Sequence, residues 1–291
     1  MPHRKYLKKI QKEFPNHKWK SFKFLTHGWD HDVIILDNKW VFRFPKNNYA
    51  KKLFKNELRL MRFLNKKLTI NIPNYTYIAK DKSFAGYKYM KGKEFKPWIY
   101  KNKVKTKNKR KIMNQFIKFY NEVHAINPDI FKKFEVKDFD PKKDLLKLYR
   151  NVKKLVYPKF NKKEIQITDE FFAKIKALDL KNVQNVFVHG DIHYSNMIIK
   201  EDYSELSGII DFTDRIISDP ALEFAYLWDY GPKFVKEVYK KYKGPKDPKF
   251  LYRSKLYKAW DAFGMMVESF KKKHRADFKE GYDTFTKLFR L

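Results

Sequence analysis

Between Asn185 and Phe212 the chain reads NVFV, HGDIHYSN, MII, KEDYSEL, SGIIDF: three short apolar runs separated by polar segments. Runs this short and this rich in Val and Ile are strands rather than helix, and KEDYSELSG is the solvated turn of a hairpin. Burying an imidazole or carboxylate without a partner costs on the order of several kcal/mol. The polar segment 189–196 and the carboxylate of Asp211 must therefore sit at strand ends, where partners can reach them. Two chemistries suit that segment. His189, Asp191 and His193 alternate, so an extended backbone would carry all three on one face, as a catalytic zinc or iron site requires. Alternatively Asp191, Asn196 and Asp211 form a set of oxygen donors, which is what Mg²⁺ takes in place of imidazole.

Composition narrows the setting. With 291 residues the chain makes one large domain or two modest ones, and 43% hydrophobic and 18% aromatic content points to a packed core rather than disorder. It contains no cysteine, which excludes disulfides, thiolate metal sites and a cysteine nucleophile. The N-terminal MPHRKYLKKIQKEFP has no apolar core of a leader, and no run approaches the ~18 apolar residues of a membrane span. The expectation is a cytoplasmic monomer with no membrane partner.

The formal charge of +33 invites a nucleic-acid reading, yet only 10 of the 66 basic residues are arginine and the lysines are spread along the chain. Base and phosphate readers concentrate arginine, so the lysine excess reads as compositional, and nucleic acid is not expected as the partner. The charged run 100–111 reads as solvated surface. One window reverses the trend: residues 189–229 hold nine acids against two bases. Three of those acids, Glu201, Asp202 and Glu205, belong to the hairpin turn. The other six need a reason.

The first ninety residues mix strand and helix. DVIIL and KWVFRF flank a DN hairpin signal, YAKKLFKNELRLMRFLNKKL has helical periodicity, and YTYIA and FAGYKYM flank KDKS. From about residue 94 the chain is mainly helical apart from the strands around the opening segment. In the 49–68 helix, at roughly 100° per residue, Glu57 is the one acid in the apolar arc formed by Phe54, Leu60, Leu64, Met61 and Leu58. A carboxylate there needs a basic partner. The nearest candidate is Arg43, on the preceding strand and on the face opposite Trp40, Phe42 and Phe44. Asp219-Pro220 reads as a helix start with Asp as cap, a structural role.

Asp191 and Asn196 at this spacing, with Asp211 ending the next hairpin, have the layout of a kinase catalytic loop followed by its metal-binding Asp. Together with an upstream strand arginine and helix glutamate, the set resembles the aminoglycoside phosphotransferase family. The resemblance is nearest to the aminoglycoside 2''-phosphotransferases. It is carried by HGWDHDVIILDNKWVFRFPK, LFKNELRLMRFLNKKL, SFAGYKYMKGKEF, HGDIHYSNMII and IIDFTDRIISDP. It implies an α+β, two-lobed protein-kinase-like fold, with a small N-terminal lobe (1–90) of antiparallel sheet and one main helix. A larger, mainly helical C-terminal lobe (91–291) would follow a hinge at about 87–93. It implies Asp191 as the catalytic residue facing the acceptor hydroxyl, and Asn196 and Asp211 as Mg²⁺ ligands. Arg43, steadied by Glu57, would contact the phosphates of ATP or GTP. His27 and Gly28 would lie in the nucleotide loop, and Tyr87, Tyr89 and Met90 along the edge against which the purine rests, with Tyr87 guarding the back of the pocket. His189 would brace the loop.

Three features depart from the pattern. Arg43 stands where such kinases usually carry lysine, DPALE replaces DPxxD so that Glu223 is one methylene longer, and the region after Asp229 is lysine-rich. Distant lysines are screened within a Debye length of roughly 8 Å, so a cationic acceptor is compatible with Asp214, Glu223 and Asp229 as its amine partners. The function expected is phosphoryl transfer from a nucleotide to a hydroxyl of an aminoglycoside-like small molecule. The alternatives are a homoserine, choline or sugar kinase of the same fold, a non-catalytic nucleic-acid-binding relative, and a metal hydrolase built on the two histidines.

Overall fold

The computed structural model describes residues 2–25, 31–272 and 275–290. Helix α1 (Pro2–Glu13) precedes a five-stranded antiparallel sheet of order β1-β2-β3-β5-β4, made of β1 (Phe22–Leu25), β2 (His31–Leu36), β3 (Trp40–Pro45), β4 (Tyr75–Ile78) and β5 (Ala85–Lys88). Helix α2 (Asn48–Leu64) lies between β3 and β4 in sequence. The β2–β3 hairpin turns on Asp37 and Asn38, both left-handed with φ of 52° and 51°. That pairing matches the twist of the strands, and Asp and Asn tolerate it best among residues with a Cβ.

Period-2 alternation on β3 divides the sheet's environment. Phe42 and Phe44 enter a cluster closed by Ile10 of α1, whereas Val41 joins the core that α2 shares through Phe54, Leu60 and Met61. Asn47 caps α2 by accepting the Ala50 N–H at 2.8 Å. Helix α1 and strand β1 add to the elements expected from the sequence: α1 carries an apolar stripe among its lysines, and β1 is exposed along most of its length.

After β5 the chain passes through residues 89–92 into β6 (Lys93–Glu94), at the edge of a second sheet of order β6-β8-β9. Its other strands are β8 (Met197–Ile199) and β9 (Leu206–Ile209). Gly92 has φ of +144°, and a Cβ there would lie 2.1 Å from the Ile199 carbonyl oxygen, so only glycine lets the crossing pass this close. Strand β7 (Val186–Val188) pairs antiparallel with β10 (Ile216–Ser218). The rest is helical: α3 (Pro97–Asn102), α4 (Thr106–His124), α5 (Pro141–Leu155), α6 (Lys162–Lys176), α7 (Pro232–Lys241), α8 (Phe250–Tyr257), α9 (Trp260–Lys272) and α10 (Arg275–Phe289). The expected helix after Asp219 is a single 3₁₀ turn, Pro220–Leu222. Asp219 caps that turn and also receives Arg253 Nε at 2.6 Å and the Tyr257 hydroxyl at 2.9 Å, a fully structural role. Among the described residues no helix is long and apolar enough to cross a membrane.

Candidate active site

The segment 189–196 hangs between β7 and β8 and is held from three sides. The buried His189 accepts the Asp191 N–H on Nδ1 at 3.3 Å, so Nε2 carries the proton and donates to the Ile210 carbonyl at 3.0 Å. Burial pushes the imidazole down to about 4, against the Ile210 carbonyl and the Asp211 charge, and keeps it neutral. Gly190 has φ of +86°, with a hypothetical Cβ 2.0 Å from the Asp214 carbonyl oxygen. Any side chain at 190 would push the loop off the 211–215 segment.

Glu223 lies beneath the loop, 1% exposed, accepting the backbone N–H groups of His189 and Gly190 on Oε1. Its Oε2 is buried without a partner among the described residues. The structure thus gives Glu223 a supporting place rather than the expected place against an acceptor amine. Burial pushes its carboxyl up to about 8, opposed by the two N–H donors and reinforced by Asp191. The unfolded chain releases this proton near 4.5, so the folded state loses stability relative to it as pH rises from about 5 through 8. Glu223→Gln keeps the acceptor and removes the charge; its unfolding free energy is expected to vary less over that window than wild type, as measured by urea titrations at pH 5, 6.5 and 8.

Asn196 donates Nδ2 to the Asp191 carboxylate at 2.7 Å and to its carbonyl at 3.0 Å, which fixes the Asp191 rotamer and leaves Oδ1 as Asn196's acceptor end. Burial, and then the charges of Asp214, Asp261 and Asp211, raise Asp191 to about 7, while Asn196 opposes them. Asp211 follows β9 with φ of 63°. Burial alone would raise its carboxyl; the Arg43 guanidinium and the Thr213 hydroxyl outweigh it and hold the group at about 2.

Arg43 links the first sheet to this loop. Its Nη1 reaches Glu57 at 2.6 Å and the Tyr75 hydroxyl at 3.0 Å, and the Tyr75 hydroxyl donates to Glu57 at 2.7 Å. Its Nη2 reaches His31 Nδ1, Asp211 Oδ1 and Thr213 Oγ1, each at 3.1 Å. The expected partner of Glu57 is therefore Arg43. Sequence reasoning missed His31, Tyr75 and Thr213, which lie on other elements.

Asn196 and Asp211 offer oxygen donors near Asp191, and among the described residues no group of three His, Asp or Glu side chains could hold a metal ion by itself. That donor set fits Mg²⁺, which completes its shell with water and phosphate oxygens. It does not fit the zinc or iron reading: both ring nitrogens of His189 are engaged, and His193 Nδ1 meets Ser195 Oγ at 3.0 Å.

Tyr87 is buried with its ring edge-on to Tyr75 at 5.3 Å, on the same side of the sheet as Arg43. The Tyr89 N–H is taken by the Lys39 carbonyl at 2.7 Å, and Tyr89 and Met90 line a groove shared with Asn71 and Trp40. His27 and Gly28 lie outside the described residues. Of the expected amine partners, Asp214 lines a cavity beside Gly190, and Asp229 is paired with Lys258 at 2.6 Å. Asp261 lines the same cavity and was missed. Its helical neighbours three, four and seven residues on are Gly264, Met265 and Glu268, so no apolar arc marks Asp261 as one marks Glu57.

The family model of the phosphotransferase enzyme family, APH, matches residues 21–251. Solved structures share the fold. The GDP and kanamycin complex of an APH(2") of type IIIa is 23% identical with a TM-score of 0.88, covering 98% of each chain. The streptomycin–ATP–APH(2")-IIa ternary complex is 22% identical with a TM-score of 0.74, over 99% of this chain and 96% of that one. Macrolide 2'-phosphotransferase type I is 16% identical with a TM-score of 0.70, over 94% and 95%. The architecture described above is accordingly protein-kinase-like, an antiparallel sheet near the N-terminus followed by a mostly helical remainder. With that fold, and with the family model spanning most of its length, the chain belongs to the APH phosphotransferase enzyme family.

Proposed function

We propose that this phosphotransferase moves the γ-phosphoryl group of ATP or GTP to a hydroxyl of a small amine-bearing acceptor, aminoglycoside-like in carrying both groups. Residues 1–90 form the nucleotide lobe and 91–291 the catalytic and acceptor lobe. The observation that carries the reading is the convergence of Asp191, Asn196 and Asp211 on one loop pair, joined through Arg43 to Glu57. The acceptor oxygen bonds to the γ-phosphorus as the bridging oxygen to the β-phosphate departs, and Asp191 orients the hydroxyl and takes its proton. Asn196 keeps the Asp191 carboxylate aimed, while Arg43 supplies a fixed positive charge to the phosphates. Mg²⁺ held by Asn196 and Asp211 would neutralise phosphate charge when bound. Positioning and electrostatics of this kind suffice for a loose phosphoryl-transfer transition state.

A panel of aminoglycosides, homoserine, choline and simple sugars, run with ATP and with GTP, tests the reading by nucleotide consumption. An acceptor carrying both an amine and a hydroxyl is expected to accelerate consumption at least tenfold over the acceptor-free rate. No acceleration by any acceptor with either nucleotide overturns the reading. The amino-alcohol kinase reading gains from one observation: of three acids expected to receive amines, Glu223 is buried under the loop and Asp229 is paired with Lys258.

A further inference from the structure

Arg215, the residue before β10, is buried, yet its three hydrogen bonds among the described residues all go to backbone carbonyls. Nη1 donates to Phe212 at 2.9 Å and to Thr213 at 3.4 Å, and Nη2 donates to Leu53 at 3.3 Å. Its Nε is buried without a partner among the described residues. Carbonyl dipoles compensate a guanidinium less well than a carboxylate does, so burying this charge costs the fold more than an apolar side chain of similar length would. Stability therefore does not account for an arginine here.

The identity of the three carbonyls does. Leu53 lies one turn before Glu57 on α2, and in an α-helix its carbonyl is the acceptor of the Glu57 N–H. Phe212 and Thr213 directly follow Asp211, whose φ of 63° is a left-handed conformation that persists only where neighbouring contacts enforce it. One guanidinium thus joins the backbone that carries Glu57 to the backbone that turns at Asp211. Arg43 joins the same two places through side chains, Glu57 on Nη1 and Asp211 on Nη2. The braced turn also abuts the catalytic loop, since the Asp214 carbonyl oxygen fills the space that a Cβ on Gly190 would take. Towards its other end α2 rests on the helical part of the chain through Phe63 and Phe134, with ring centroids 5.5 Å apart. The helix therefore stays docked without Arg215, and what the guanidinium adds is the register between α2 and the Asp211 turn.

We propose that Arg215 is a positioning residue for phosphoryl transfer: by bridging α2 and the Asp211 turn, it holds the metal-binding and phosphate-binding groups in one register. The proposal rests on the reading of Asp211 as a Mg²⁺ ligand and Arg43 as a phosphate contact. A fixed register makes Mg²⁺ and nucleotide bind cooperatively, because each finds the ligands of the other already placed. The test is the ratio of nucleotide Kd without Mg²⁺ to Kd with it. Titration calorimetry of ATP and of GTP into the full chain measures it for wild type, Arg215→Met and Arg215→Lys. The ratio is expected to fall at least fivefold in R215M. R215K keeps the charge but loses the fork that grips both elements, so its ratio is expected within twofold of that of R215M. A less stable fold would weaken both affinities alike and leave the ratio unchanged. A ratio equal to wild type in either variant overturns the proposal. If R215M does not give a cooperative melting transition, Arg215→Gln takes its place under the same criteria. Nucleotide consumption with the acceptor panel is measured in parallel. Wild type in which Mg²⁺ strengthens nucleotide binding but no acceptor is phosphorylated defeats the acceptor reading alone. Wild type without that Mg²⁺ enhancement overturns both.

Discussion

Asp191→Ala is expected to lower phosphoryl transfer by about 10²–10⁴-fold, the contribution a positioned acid–base group makes, while the melting temperature stays at or above that of wild type. Both halves follow from the surroundings of the carboxylate. Asn196 holds it in one rotamer, which is useful only if its aim matters. Burial and the charges of Asp214, Asp261 and Asp211 make its ionised form costly, so deletion relieves repulsion that the fold otherwise tolerates. Steady-state turnover and thermal unfolding, measured on the same preparation, check the pair. Turnover equal to wild type would falsify the assignment of Asp191, and a large drop in melting temperature would mean that the loss of activity reflects unfolding.

Asp211→Asn is expected to weaken Mg²⁺–nucleotide binding tenfold or more, which is about 1.4 kcal/mol, and to leave the fold intact. The amide oxygen can still accept from Arg43 and Thr213, so the bridge between the first sheet and the catalytic loop survives in geometry. The negative charge that a divalent cation needs does not survive. Arg43 keeps Glu57 as its counter-charge at 2.6 Å, so it is not left as an unpaired buried cation, the situation that costs most. The readout is the melting shift induced by excess Mg²⁺ and nucleotide, which grows with the logarithm of ligand concentration over Kd. A shift equal to wild type would remove Asp211 from the metal set.

Much of this was legible because the relevant signals are local. Glu57 stood out because 3.6-residue periodicity shows which face of a helix is buried, and an acid on that face demands a partner. Arg43 followed because strand alternation put it on the face opposite Phe42 and Phe44. The proximity of Asp191, Asn196 and Asp211 was readable because the first two share one loop and the β8–β9 hairpin returns the chain beside it, with the Ile210 N–H on the Asn196 carbonyl at 2.8 Å.

Glu223 marks the limit of such reasoning. Its place in a run of acids suggested a cleft-facing charge, and no periodicity could show that it turns inward to hold two backbone N–H groups 33 and 34 residues away. His31, Tyr75 and Thr213 converge on Arg43 from two strands and a loop, and Asp261 and Lys258 reach the cavity from beyond residue 250. The sequence by itself determined the strand and helix periods, the spacing of Asp191, Asn196 and Asp211 and the need for a buried ion pair, since each depends on neighbours within about twenty residues. Which side chains complete the Arg43 hub, and which charges line the cavity beside Gly190, were decided only by tertiary packing, because a period reveals that a face is covered but not what covers it.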